Sequence, residues 1–198
     1  GGKLGSCIAS CMTMLFSLKL CKELKMKQES KILVMWFVAF LPGMYLAAGR
    51  IGEDAFSCLF AVMEIYTSLK WYHNSNIRNT IYTAIAFGFG LQTNLSCILP
   101  MGLLVILVLE KMVGDHDAIK KYIGQTAIFA GIAAPLGLWF YIRNAIRFGI
   151  PFTYINEQEV GNILWTGEHS LWERFAPINW RNLISSPYAN TYEDYNLS

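Results

Sequence analysis

The hexapeptide Gly49-Arg50-Ile51-Gly52-Glu53-Asp54 separates two apolar runs, 32–48 and 55–69, and its reading decides the fold. In a water-soluble protein it would be an ordinary polar turn. Between two membrane-spanning helices it is a charged knuckle at the bilayer surface, and its arginine and paired carboxylates then mark a functional position. The choice depends on what lies on either side.

Composition favours the membrane. Of 198 residues, 54% are hydrophobic and 15% are charged, against roughly 25% charged in average soluble domains. The mean hydropathy of +0.35 averages two unlike parts. Residues 1–148 alternate polar clusters with apolar runs near the length of a bilayer span, about 20 residues. Residues 149–198 are polar, aromatic and rich in Asn. A net charge of +2 is too small to argue for nucleic acid as a partner.

Working outward from the hexapeptide, the preceding run 32–48 contains Pro42-Gly43, a kink that neighbouring helices tolerate. Before it, the run 4–18 ends in Lys19, Lys22, Lys25, Lys27 and Lys31, the pattern of a cytoplasmic connection. A merely solvated charged face would give the same location. On the other side, 55–69 returns inward and ends at Lys70-Trp71-Tyr72-His73, with Trp71 and Tyr72 suited to an interfacial aromatic belt and Arg78 beyond them.

The stretch 79–112 is too long for one straight span, and Gly88, Gly90, Gln92, Thr93, Asn94 and Pro100 interrupt it. Two shortened helices, 80–91 and 95–109, are predicted, joined by an exterior polar turn. Polar atoms at that depth are buried in protein or line a wet cavity, so Gln92-Thr93-Asn94 is a candidate cavity edge. Lys111, Lys120 and Lys121 mark the next interior loop, and 122–141 leads out again. The pattern predicts an all-α, polytopic transmembrane helical bundle of about six spans over 1–148, followed by an exterior loop segment, 149–198. The chain reads as a fragment of a longer multi-pass protein, truncated before further spans and inactive by itself.

This topology gathers Arg50, Glu53, Asp54, the Gln92–Asn94 turn, Arg143, Asn144 and Arg147 on the exterior face. Arg143 and Arg147 are four apart, so a continued helix stacks them on one face. Guanidinium forks match phosphate oxygens. Neighbouring carboxylates could hold a divalent metal, act as a base, or pair with the arginines. A lipid carrying a phosphate suits such a site; a salt-bridge network holding the loops together would use the same residues. Glu64, in the middle of the third run, is a second position of interest, with a paired or interface-facing structural role expected.

Other residue types carry less. Cys7, Cys11, Cys21, Cys58 and Cys97 lie in or beside apolar runs without metal-ligand spacing and read as packing cysteines. His73, His116 and His169 fall on separate loops and form no metal site. Phe152, Tyr154, Trp165, Trp172, Trp180 and Tyr188 suit an interfacial layer, or alternatively a sugar-binding surface. Asn94-Leu95-Ser96 and Asn196-Leu197-Ser198 match the glycosylation sequon, the first lying too close to the bilayer to accept a glycan.

Three landmarks in order carry a family resemblance over about residues 40–152. Gly49-Arg50-Ile51-Gly52-Glu53-Asp54-Ala55 resembles a G-R-I-x-N-D-A segment, and Gly88-Phe89-Gly90-Leu91-Gln92-Thr93-Asn94 is similar to a hairpin reading G-L-x-x-x-T-K. Trp139-Phe140-Tyr141-Ile142-Arg143-Asn144-Ala145-Ile146-Arg147-Phe148-Gly149-Ile150-Pro151-Phe152 resembles W-x-x-R-N-x-x-x-F-G-x-P-F, with one more residue before the arginine. Together they look like C-type (GT-C) polytopic glycosyltransferases related to dolichyl-phosphate-mannose–protein mannosyltransferases (family 39-like).

The resemblance implies an integral-membrane hexosyltransferase, mannosyltransferase-like, in a bacterial cell membrane. It would move a sugar from a polyprenyl-phosphate carrier to an acceptor protein, lipid or polymer on the exterior face, with membrane lipids around it and a divalent metal as a possible cofactor. The catalytic base would precede Gly1. Asp54 would match the second exterior acidic position, near the carrier phosphate or a metal, and Arg143 the arginine beside the lipid phosphate. Arg50, Arg147 and Asn94 join the carrier-phosphate set, and Glu53 the acidic one. The chain departs from the pattern twice: Glu53 stands for the usual Asn, and Asn94 for the hairpin Lys, a loss of cation that Arg147 would have to cover. A transporter or flippase for an anionic lipid or solute, and a non-catalytic membrane scaffold, remain alternatives.

Overall fold

The structure, a computed structural model, describes residues 2–49 and 53–148. Arg50, Ile51 and Gly52, and the whole of the 149–198 segment with its aromatic residues and His169, lie outside the described residues. Among the described residues the chain is all-helical, with no strand. The helices are α1 (Gly2–Glu23), α2 (Gln28–Phe40), α3 (Pro42–Gly49), α4 (Asp54–His73), α5 (Ile77–Thr93), α6 (Leu99–Gly114) and α7 (Ile119–Phe148), with short 3-10 turns at Leu95–Ile98 and His116–Ala118.

Local chemistry sets the boundaries. Leu41, the residue before Pro42, is extended (φ −63°, ψ 113°), which stops α2 and lets the proline open α3. The kink expected at Pro42-Gly43 is therefore a full break. Asn76 caps α5 by accepting from the Asn79 amide at 2.8 Å. The interruption in 79–112 falls at Asn94 alone, extended at φ −157°, ψ 140°. Gly88 and Gly90, expected to help break the run, lie inside a continuous α5, and Pro100 sits in the first turn of α6, where a missing N–H costs nothing.

Gly88 serves packing instead, together with Gly137 on α7. A Cβ at Gly88 would stand 2.7 Å from the Leu136 Cβ, and one at Gly137 would stand 2.9 Å from the Leu91 Cβ. The reciprocal pair brings α5 and α7 together at backbone distance, as small residues do in helix pairs that lack a hydrophobic driving force. Around this seam Trp71, Ala84, Phe87, Leu104, Tyr122 and Ala133 form the main core. A second cluster, Ala9, Ala47, Ala55 and Leu59, joins α1, α3 and α4.

The polarity of the helix faces is inverted relative to a water-soluble bundle. α1 buries Ser6, Ser10, Thr13 and Ser17 while exposing Leu4, Ile8 and Leu15. α2 buries nothing, and α6 exposes Val105, Ile106, Leu109 and Val113. On α1 large apolar side chains face outward and small or hydroxylated ones inward, the arrangement a hydrocarbon solvent rewards. Among the described residues, three helical stretches are long and apolar enough to cross a membrane: Lys3–Glu23, Ser96–Gly114 and Ile119–Arg147. The other runs also form helices, but α4 carries Glu64, Thr67 and Ser68 in its buried face, and α2 and α3 are each short.

Candidate functional site

The bundle has two unlike ends. α1 and α4 run parallel, since Gly5 lies beside Phe56 at one end and Glu23 bonds His73 at the other. α5 and α7 are parallel to each other too, with Gly88 against Leu136 and the Tyr141 hydroxyl donating to the Leu91 carbonyl at 3.0 Å. One end therefore collects Glu53, Asp54, Asn94 and Arg143. The opposite end collects Lys22, Lys70, Lys111 and Lys121.

At the first end, two of the sequence landmarks meet. The Asn94 Nδ2 donates to Glu53 Oε1 at 3.3 Å. The Asn94 Oδ1 accepts from the Ser96 amide at 2.9 Å and the Ser96 hydroxyl at 2.8 Å, capping the 95–98 turn. Asn94 thus uses its amide for structure, and the two positions at which the chain departs from the resembled pattern bond to each other. Asp54 opens α4 and is exposed, its charge favourable against the helix dipole. Gln92 donates to the Leu136 carbonyl at 2.7 Å, and Thr93 to the Gly90 carbonyl at 2.7 Å, so both hold the turn in place.

α7 continues through Arg147, so Arg143 and Arg147 do share one face. Arg143 is half-buried, its guanidinium 5.1 Å from the Phe140 ring centre and 5.6 Å from that of Trp139. Its Nε is buried and has no hydrogen-bond partner among the described residues. Arg147 is exposed. The one ion pair among the described residues is His73–Glu23, at the far end. Arg50 lies outside the described residues. No group of three or more His, Cys, Asp or Glu among the described residues could hold a metal. Glu53 and Asp54 alone are too few donors for one.

The lysine-rich end is heavily bonded. Trp71 Nε1 donates to Gln125 Oε1 at 3.0 Å, and Gln125 Nε2 to the Ser75 carbonyl at 3.1 Å. Tyr72 donates to Glu110 at 2.7 Å; that bond first, then burial, raises the Tyr72 phenol above its usual pKa. His73 Nδ1 lies 2.7 Å from Glu23 Oε1. Trp71 is buried, which corrects its expected place in an interfacial belt: the indole is a core strut whose N–H reaches a buried amide. A cavity of about 350 Å³ beside it is lined by Thr83, Leu104, Val108, Gln125 and Phe129.

Glu64 is fully buried and faces an interface, as expected, and neither carboxyl oxygen has a partner among the described residues. Cys21 and Cys97 are packing cysteines; Cys7, Cys11 and Cys58 are exposed. Sequence reasoning passed over the Ser6, Ser10, Thr13, Ser17 stripe on α1, whose i, i+4, i+7, i+11 spacing was the available signal.

The described residues define an all-helical fold with helices long and apolar enough to cross a membrane. Compared with known proteins, the chain matches no family model, no curated protein and no solved structure.

Proposed function

We propose that this chain is part of a multi-pass membrane glycosyltransferase that moves a sugar from a polyprenyl-phosphate carrier to an acceptor at the exterior face. The observation that carries the reading is Arg143: a half-buried guanidinium stacked on Trp139 and Phe140, with a buried Nε that no described residue engages. Such a group is ready for a phosphate oxygen. Glu53, Asp54 and Asn94 at the same end support it, as does the order of the three sequence landmarks. Lysines at the opposite end suit a cytoplasmic side, and the helices α2 to α5 would supply the remaining passes.

Chemically, an acceptor hydroxyl loses its proton to a carboxylate and attacks the anomeric carbon, forming a new C–O bond as the bond to the carrier phosphate breaks. Arg143 would neutralise the departing phosphate, with Arg50 and Arg147 in support. Asp54 would orient the carrier or acceptor. The test is sugar transfer from labelled carrier by the full-length protein carrying Arg143→Ala or Asp54→Asn. Wild-type rates in both variants, at unchanged expression, would sink the assignment. A second reading, a transporter for an anionic lipid or solute, is favoured by the helix break at Asn94 and the buried Glu64. Carrier-independent lipid flux in proteoliposomes would select it.

A further inference from the structure

We propose that Glu64 is a proton-binding site built into the junction of α4, α5 and the 95–98 turn, and that its proton governs the seating of the Asn94 turn. The proposal does not rest on the glycosyltransferase reading. Glu64 is fully buried, and neither carboxyl oxygen has a hydrogen-bond or ionic partner among the described residues. An ionised carboxylate left unpaired in an apolar helix junction is far more costly than the neutral acid. A metal ion would need several further oxygens, and no described cluster of His, Cys, Asp or Glu provides them.

The junction is shaped around this one group. A Cβ at Gly90 would collide with Glu64 Oε1, so the glycine is what admits the carboxyl between the helices. The Gly90 carbonyl in turn accepts from the Thr93 hydroxyl at 2.7 Å and from the Asn94 amide at 3.1 Å. Glu64 therefore presses on the residue from which the turn hangs, and that turn holds Glu53 through Asn94.

The groups around Glu64 do not offer a countercharge. The 95–98 turn presents Cys97, whose thiol lies 3.7 Å from the Ser57 carbonyl, and α4 itself carries Cys58, which is exposed. α5 presents Phe87, Gly90 and Thr93, none of them titratable. On α6, Glu110 and Lys111 are engaged by Tyr72, and on α1 Lys19 stands over Phe16. With the proton bound, the carboxyl sits neutral in the seam. Losing it as pH rises demands water or a cation, and α5 can admit either only by moving Gly90 away from α4.

Infrared spectra of the full-length protein in membranes, titrated from mildly acid to alkaline pH, test this. A protonated-carboxyl band is expected that Glu64→Gln removes and that fades as pH rises. In step with it, amide hydrogen exchange across 90–97, corrected for intrinsic pH dependence, should rise in the wild type and stay flat in Glu64→Gln. If that variant does not accumulate, Glu64→Asp keeps the carboxyl and should shift the band instead of deleting it. A carboxylate signature at every pH, or a band that added sodium bleaches at fixed pH, overturns the proton site. A titrating band with unchanged exchange overturns the link to the turn.

Discussion

The two ends of the helical bundle are built to opposite plans. At the lysine-rich end long-range polar pairs join the helices: Trp71 with Gln125, Gln125 with Ser75, Tyr72 with Glu110, His73 with Glu23. At the other end Glu53 takes one long bond from Asn94, Asp54 is exposed, and the buried Nε of Arg143 has no partner among the described residues. Polar groups that are satisfied internally hold a structure together. Groups kept half-buried and unsatisfied are costly to the fold alone. On the proposed function, the stapled end is scaffold and the open end is where the carrier phosphate binds.

That contrast can be broken from the stapled side first. Trp71→Ala removes a buried indole and leaves Gln125 without its donor, and a loss of about 3–5 kcal/mol is expected, read as a lower denaturation midpoint of purified protein in detergent. The same variant should leave carrier binding per folded molecule unchanged. On the open side the pattern reverses. Arg143→Ala should leave the melting point nearly intact while transfer from the carrier falls about 10²–10³-fold; equal losses of stability and transfer would erase the distinction between the ends.

Between the ends, Gly137→Ala probes the seam that aligns them. Its Cβ would meet Leu91 at 2.9 Å, and overpacking of this kind costs about 1–3 kcal/mol, visible in thermal unfolding and as a moderate fall in transfer because Arg143 shifts with α7. The smallest effect belongs to His73→Ala. The pair with Glu23 is partly exposed, and such pairs are worth about 0–1 kcal/mol. A large destabilisation there would show that the lysine end depends on ion pairing more than on the Trp71–Gln125 strut.

Much of the fold was legible residue by residue. The lysine cluster after 4–18, Pro42, and the polar Gln92-Thr93-Asn94 group each mark a helix boundary, because missing amides, side-chain caps and charge act over a few residues. The role of Gly88 and Gly90 was misjudged for the same reason. A glycine read locally is a weak helix residue, and only its partner across the seam, Leu136 or Glu64, reveals it as a contact. Trp71 was placed in an interfacial belt because Trp and Tyr concentrate there; its indole is buried on Gln125, 54 residues away.

The sequence by itself determined that the described residues are helical, roughly where polar clusters divide the helices, and that charge is too scarce and too clumped for an average soluble domain. Those properties depend on composition and on spacing within a turn or two. Tertiary structure alone decided which polar groups are spent and which are spare among the described residues: that Asn94 meets Glu53, that Gln125 takes the Trp71 N–H, that Glu64 is sealed against Gly90 with no described partner, and that Arg143 stacks on rings with its Nε engaged by no described residue. Satisfaction of a polar group is a property of two surfaces brought together, and the chain has to fold before those surfaces exist.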